Sequence, residues 1–245
     1  MHRAKRLFVQ TGKYILHILF PKTCFSCGAD LPFGEDFPLC ASCFSQIQCP
    51  GPLICRRCGT VLPAGGAHCA RCRGSKAKTF KCGVIRSAWL FGPQTQALIH
   101  AFKYQGYSFL AEFLGERMAQ EFIKYPELTP IDWVVPVPLH PKKRRMRGYN
   151  QSQLLAESFC KRTGLSLRGE VLLRQRDTLS QAHLKRQERL INMLGAFAAL
   201  PDVKGKRILL IDDVATTGAT LEGCAAALKQ AGAKQVMAFT LAREP

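Results

Sequence analysis

The chain has 245 residues, enough for one sizeable core plus a small appended module, and its hydrophobic content of 47% is that of an ordinary globular protein. Its formal net charge of +18 is not ordinary, and residues 1–82 and 140–189 carry +9 each. Two such blocks point to an anionic partner rather than to generic solubility. No run reaches the roughly 18–20 apolar residues of a membrane span, so a cytoplasmic protein is expected.

Residues 1–20 begin basic, and Leu7, Ile15, Leu16, Ile18 and Leu19 predict a short amphipathic helix that ends before Pro21. Gln10, Thr11, Lys13 and His17 break its apolar run, and no small-residue cleavage site follows, which argues against a secretory signal.

Four C-x-x-C pairs come next, at Cys24/Cys27, Cys40/Cys43, Cys55/Cys58 and Cys69/Cys72. Each pair can turn two thiolates toward one tetrahedral Zn²⁺, and a second pair completes the shell. Taken in sequence they make two Cys₄ sites within residues 20–74. The spacing also allows interleaved pairing. No ligand position is left for water, so both sites are expected to be structural. Eight thiolates and two Zn²⁺ lower the charge of the first block only to +5. Cys49, Cys82, Cys160 and Cys224 lie outside the pattern and are expected as small core residues.

Gly74–Lys81 reads as a polar, basic linker. From residue 83 strand and helix patterns alternate, as in an α/β sheet. Val84–Phe91 predicts a strand, and Thr95–Phe102 and Phe109–Ile123 predict helices. Ile131–Val137 predicts a buried strand ending at Pro136 and Pro138. The following loop, His140–Gln151, holds Lys142, Lys143, Arg144, Arg145 and Arg147. At the carboxyl end of a parallel strand, where open α/β sheets bind ligands, these cations suit a pyrophosphate or a nucleic-acid backbone better than plain solvation. Gln153–Cys160 predicts a helix. Arg174–Arg189 is polar and basic, and as an amphipathic helix it would turn Leu184 inward. Gly195–Ala199 and Val236–Leu241 predict strands. Aromatic content is moderate, at 9%, with no obvious base-stacking platform.

The chain is organised around Ile208–Thr220, ILLIDDVATTGAT. Four apolar residues predict a buried strand, Asp212 and Asp213 follow, and Leu221–Ala231 has a helical pattern. Between them Ala215, Thr216, Thr217, Gly218, Ala219 and Thr220 form a hydroxyl-rich turn at a helix start, which is a ready anion site. The acids would repel a phosphate but could hold sugar hydroxyls farther along the same ligand. Phosphate at one end and a diol at the other describe a ribose 5-phosphate. The bland alternative is a capped helix after a buried strand, with Thr217 or Thr220 as N-cap. A Walker B strand is excluded by the lack of any G-x-x-x-x-G-K-[ST].

This stretch resembles the phosphoribosyl-pyrophosphate (PRPP) loop of type I phosphoribosyltransferases. The resemblance implies that Asp212 and Asp213 bind the ribose 2′ and 3′ hydroxyls and that Ala215–Thr220 wraps the 5′-phosphate. It also places a flexible, pyrophosphate-closing loop at Arg174–Arg189.

Further blocks extend the likeness: FKYQG at Phe102–Gly106, VPVPLHPKKRRMRGYNQ at Val135–Gln151, and Gln181, Leu184, Arg189 and Asn192 ahead of Gly195–Phe197. With the Cys-rich front, nearly the whole chain resembles the ComF (GntX-like) family. The resemblance implies a double zinc ribbon at 20–74 and a parallel-sheet, type I phosphoribosyltransferase-like domain at 83–245. It further implies a link to DNA uptake and natural transformation, with single-stranded DNA and other competence proteins as partners. As an enzyme, the protein would hold PRPP and Mg²⁺ on Asp212, Asp213 and Thr216–Thr220. Arg174 and Arg176 would join the acids in catalysis, and Lys142–Arg147 would meet pyrophosphate or nucleic acid. The competing readings are a non-catalytic nucleic-acid or nucleotide adaptor and a phosphoribosyltransferase of nucleotide metabolism. Both acids of the Asp-Asp loop speak against a pure adaptor.

Overall fold

A computed structural model describes residues 22–34, 37–73, 80–175 and 195–244. The helix expected in residues 1–20 lies outside the described residues, as do Arg176, Gln181, Leu184, Arg189 and Asn192.

A four-stranded parallel sheet runs in the order β1 (Ile85–Leu90), β6 (Gln235–Arg243), β5 (Arg207–Ala215), β2 (Trp133–Pro136). Its two central strands are almost continuously apolar because both faces are covered. On one face Leu209, Ile211, Met237, Phe239 and Leu241 pack under α3 (Pro93–Tyr104), α4 (Leu110–Phe122) and α6 (Gln151–Thr163). On the other, Ile208, Leu210, Val236 and Ala238 meet α7 (Ala219–Gln230) and the antiparallel pair β3 (Leu172–Arg174) and β4 (Phe197–Ala199). Buried Phe239 is the hub of the first face, with the rings of Phe122, Tyr125 and Phe159 at 5.5, 5.9 and 6.1 Å.

Strand lengths set the place of the site. β2 pairs with β5 only as far as Pro136 opposite Ile211, whereas β5 pairs with β6 on to Ala215 opposite Arg243. Pro136 and Pro138 have no N–H to extend the ladder. The end of β5, from Asp212 onward, therefore has an open side at the carboxyl edge of the sheet.

The cysteine-rich segment covers the outer edge of β1. Leu90 N donates to the Gln48 carbonyl and Ile85 N to the Arg57 carbonyl, each at 2.7 Å. Two short helices, α1 (Ala41–Ser45) and α2 (Ala70–Arg73), belong to this segment.

Two expectations are corrected. The basic stretch after β2 is no loop: Pro141–Arg147 forms a helix, α5. His140 Nδ1 accepts from Lys142 N at 3.3 Å, Pro141 starts the helix, and Gly148, at φ 86°, closes it through its N–H to the Arg144 carbonyl at 2.8 Å. Cys82, Cys160 and Cys224 are buried as expected, but Cys49 is exposed.

Phe239→Ala should destabilise the protein by about 3–5 kcal/mol, since the ring leaves a cavity among three aromatics. Ile123→Ala, at 81% exposure, should stay within about 0.5 kcal/mol of wild type. Urea unfolding of the two variants checks the contrast.

Candidate functional site

The metal sites are built from short local turns. In the first, Gly28 N donates to the Cys24 carbonyl at 2.8 Å, and in the second Gly59 N donates to the Cys55 carbonyl at 2.9 Å. Both glycines lie at positive φ, 75° and 72°, which a residue with Cβ rarely adopts. The sulfurs gather sequentially, Cys24 with Cys27, Cys40 and Cys43, and Cys55 with Cys58, Cys69 and Cys72, all within 4.8 Å of one another in each group. The interleaved alternative is thereby excluded. A tetrahedron with Zn–S bonds of about 2.3 Å has edges of about 3.8 Å. Cys27 and Cys40 sulfurs are 3.8 Å apart, and those of Cys58 and Cys69 are 3.6 Å apart. Burial alone would push the Cys24 and Cys55 thiols up, but backbone N–H donors of the turns bring each down to about 6, whereas burial pushes Cys69 and Cys72 up. Zinc takes its ligands as thiolates, so its binding displaces the remaining thiol protons. The donor set and its spacing fit two structural zinc ions.

The second candidate centre lies at the open end of β5. Asp212 and Asp213 are buried, at 7% and 3% exposure, and they lie within the strand rather than after it, which corrects the sequence expectation. β5 continues past them, and α3 and α6 bring side chains over them. Ser152 Oγ donates to Asp212 Oδ1 at 2.8 Å, and the N–H of Asp213 donates to the same oxygen at 2.9 Å. Lys103, on the last turn of α3, forms an ion pair with Asp213 Oδ2, while Val214 N donates to Asp213 Oδ1 at 2.9 Å.

Burial pushes the Asp212 carboxyl up; the charges of Lys103, Arg174 and Arg147 and the Ser152 hydroxyl pull the other way without cancelling it. Burial likewise brings the Lys103 ammonium down to about 8, against the opposing pull of Asp212. Two adjacent carboxylates are thus held under a ring of cations from α3, α5 and β3.

The turn that follows is organised by Gly218, at φ 75°, which is the N-cap of α7. Neither Thr217 nor Thr220 takes that place. Thr217 Oγ1 instead accepts from Ala219 N at 3.3 Å. Gly218 and Ala219 are buried and Thr216, Thr217 and Thr220 are half-buried.

Of the basic residues, Lys142, Arg144 and Arg145 on α5 are exposed, and Lys143 and Arg147 are half-buried. The guanidinium of Arg147 donates to Gln151 Oε1 and lies 5.1 Å from the ring centre of Tyr104. Arg174 ends β3, its guanidinium 5.5 Å from the Phe197 ring. Sequence reasoning did not single out Lys103 or Ser152. The signal for Lys103 was available: a lone lysine directly after Phe102, a core position of an amphipathic helix.

Purified protein should contain two zinc ions per chain by elemental analysis, and a strong chelator should unfold residues 22–73 before the sheet. Structural zinc in small domains contributes on the order of 10 kcal/mol to folding.

Residues 15–73 match the double zinc ribbon domain family, and residues 164–245 match the phosphoribosyl transferase domain family. The chain is 29% identical over 228 residues to the DNA utilization protein YhgH of Escherichia coli (strain K12), covering 91% of this chain and 97% of that one. It is 26% identical to competence protein F of Haemophilus influenzae, over 90% of this chain and 96% of that protein. Competence protein ComFC of Streptococcus pneumoniae is 29% identical over 85% of this chain and 89% of its own length. Among the described residues no helix is long and apolar enough to cross a membrane. Sequential Cys₄ ribbons, a phosphoribosyltransferase-type parallel sheet and relatives along most of the chain bear out the resemblance to the ComF family.

Proposed function

We propose that the protein binds a 5-phosphoribosyl ligand of the PRPP type, with Mg²⁺, at Asp212–Thr220, binds single-stranded DNA on the adjoining basic surface, and acts in DNA uptake and transformation. The observation that carries the first part is the pair of buried acids where β5 outruns β2, followed directly by the hydroxyl-rich turn at Gly218. In this reading Asp212 and Asp213 accept hydrogen bonds from the ribose hydroxyls, and Lys103 releases Asp213 as the diol enters. The N–H groups and hydroxyls of residues 216–220 hold the 5′-phosphate. The charges of Arg147 and Arg174 reach Asp212, and in this reading the two guanidinium groups would meet the pyrophosphate charge. Mg²⁺, when bound, would neutralise the pyrophosphate.

The names of the three relatives, DNA utilization and competence proteins, support the second part, as does the surface beside the pocket. Tyr104 is 68% exposed beside Arg147, and Phe109 is 66% exposed at 5.7 Å from the Tyr107 ring. The end of α3 and the turn that follows it would thus supply the stacking surface that the sequence did not reveal. Exposed aromatic faces beside a cation suit single-stranded nucleic acid.

Asp212→Asn and Asp213→Asn should each weaken PRPP–Mg²⁺ binding by about 10- to 100-fold, the worth of one charge-assisted hydrogen bond. Calorimetry measures this, with urea unfolding alongside because both acids are buried. A wild-type protein that does not bind PRPP at millimolar ligand overturns the reading, and pyrophosphate release against a panel of bases tests turnover.

Neutralising Arg144, Arg145 and Arg147 together should weaken single-stranded DNA binding and flatten its log–log salt slope by roughly 0.7 for each phosphate that is no longer neutralised. Fluorescence anisotropy from low to high salt reads both. Unchanged affinity and slope would remove α5 from the DNA surface.

A further inference from the structure

The second zinc ribbon touches the phosphate turn. Arg71, between the ligands Cys69 and Cys72 on the four-residue helix α2, donates from Nη1 to the carbonyl of Thr217. A Cβ built on Gly218 would lie 3.7 Å from Arg71 Nη2 and 3.5 Å from Ile85 Cδ1. The ribbon and β1 therefore enclose the residue whose left-handed conformation starts α7. The guanidinium is backed by Phe80, 5.7 Å from its ring centre.

The two halves of this ribbon are held differently. The half that carries Cys55 and Cys58 is locked to the sheet. Ile85 N donates to the Arg57 carbonyl at 2.7 Å, and buried Arg86 donates from Nη2 to the Arg56 carbonyl at 2.8 Å. Arg243, at the end of β6, donates from Nη2 to Thr60 Oγ1 at 2.6 Å. A Cβ on Gly59 would come within 2.7 Å of the Ile85 carbonyl oxygen, so the approach is as close as glycine permits. The half that carries Cys69 and Cys72 is a single helical turn, too short to be stable on its own. A metal bridging all four sulfurs would hold it to the locked half.

We propose that Arg71 is a positioning residue for the 216–220 turn, so that affinity for a phosphate-bearing ligand there depends on the metal state of the Cys55, Cys58, Cys69 and Cys72 site. The guanidinium fixes the Thr217 carbonyl away from the anion, leaving the turn's N–H groups to converge on it, and adds positive charge at the turn's flank. The ligand identity rests on the function proposed above; the coupling of ribbon to turn does not.

The test uses the full chain with two zinc ions confirmed, and compares wild type, Arg71→Ala and Arg71→Lys. Hydrogen exchange of the amides of residues 217–222 is followed without ligand, and PRPP–Mg²⁺ binding by calorimetry. Arg71→Ala should speed exchange in that turn and weaken binding by about 10-fold or more, with zinc content unchanged, and Arg71→Lys should restore part of both. Partial removal of zinc from wild type should speed exchange at the same amides. Unchanged exchange in Arg71→Ala overturns the positioning role. Unchanged affinity in Arg71→Ala, in a wild type that binds PRPP, overturns the link to ligand. A wild type that does not bind PRPP overturns the proposed ligand, and the exchange comparison then decides the coupling.

Discussion

Two neighbouring carboxylates buried at the end of a central strand are the constraint to which the rest of this domain answers. Leaving them ionised under a protein roof is costly unless cations and hydrogen-bond donors surround them. The fold meets that demand from four places at once: Lys103 from α3, Arg147 from α5, Ser152 from α6 and Arg174 from β3. With β2 paired only as far as Pro136, the end of β5 at the acids is left unpaired on that side. The compromise remains visible in the groups themselves, with the Asp212 carboxyl pushed up and the Lys103 ammonium brought down to about 8. Near neutral pH the Lys103 ammonium stands closer to losing its proton than an exposed lysine does.

The same logic of covering what cannot be left bare explains the cysteine-rich segment. β1 is an edge strand, and an open edge offers unpaired N–H groups to other chains. Carbonyls of Gln48 and Arg57 take those of Leu90 and Ile85. The price of using a small, core-poor module for this task is its dependence on metal. Arg86 and Arg243 accompany the module with buried guanidinium groups. Arg243, at 2% exposure, is brought down by burial and pulled back up by the charge of Cys58. A buried cation that feels Cys55, Cys58 and Cys69 would offset the net negative charge of a Zn–Cys₄ centre, which couples the end of β6 to the second ribbon electrostatically.

What could be read from the sequence was what local pattern carries. The C-x-x-C pairs fixed the metal ligands, although only the structure settled their pairing. The run Ile208–Ile211 marked the central strand, and its alternation between two apolar faces follows from its burial on both sides. The Asp212–Thr220 stretch was legible as a strand running through a turn into a helix, as β5 and α7 show. Burial of the acids was not, because the strand was measured by its apolar run, whereas its ladder to β6 continues to Ala215 opposite Arg243. The helix at Pro141–Arg147 has no apolar periodicity, so composition favoured a loop. Its real signals were punctuation, Pro141 at the start and Gly148 at the end. Lys103 and Ser152 reach the acids only through tertiary contact, which no local pattern encodes.

The tripeptide at the end of α3 shows how closely these demands are joined. Phe102 is fully buried against the sheet. Lys103, one position on, turns to the acid pair. Tyr104 is 68% exposed, with Arg147 of the basic helix beside it. Successive helix residues point about 100° apart, so three neighbours face core, acid pair and surface in turn. The hydroxyl of Tyr149, between α5 and α6, then ties that connection back to this turn by donating to the Phe102 carbonyl, whose place at the helix end leaves it free to accept. A shift of α3 along the sheet would therefore move the counter-ion of Asp213 and the exposed ring together.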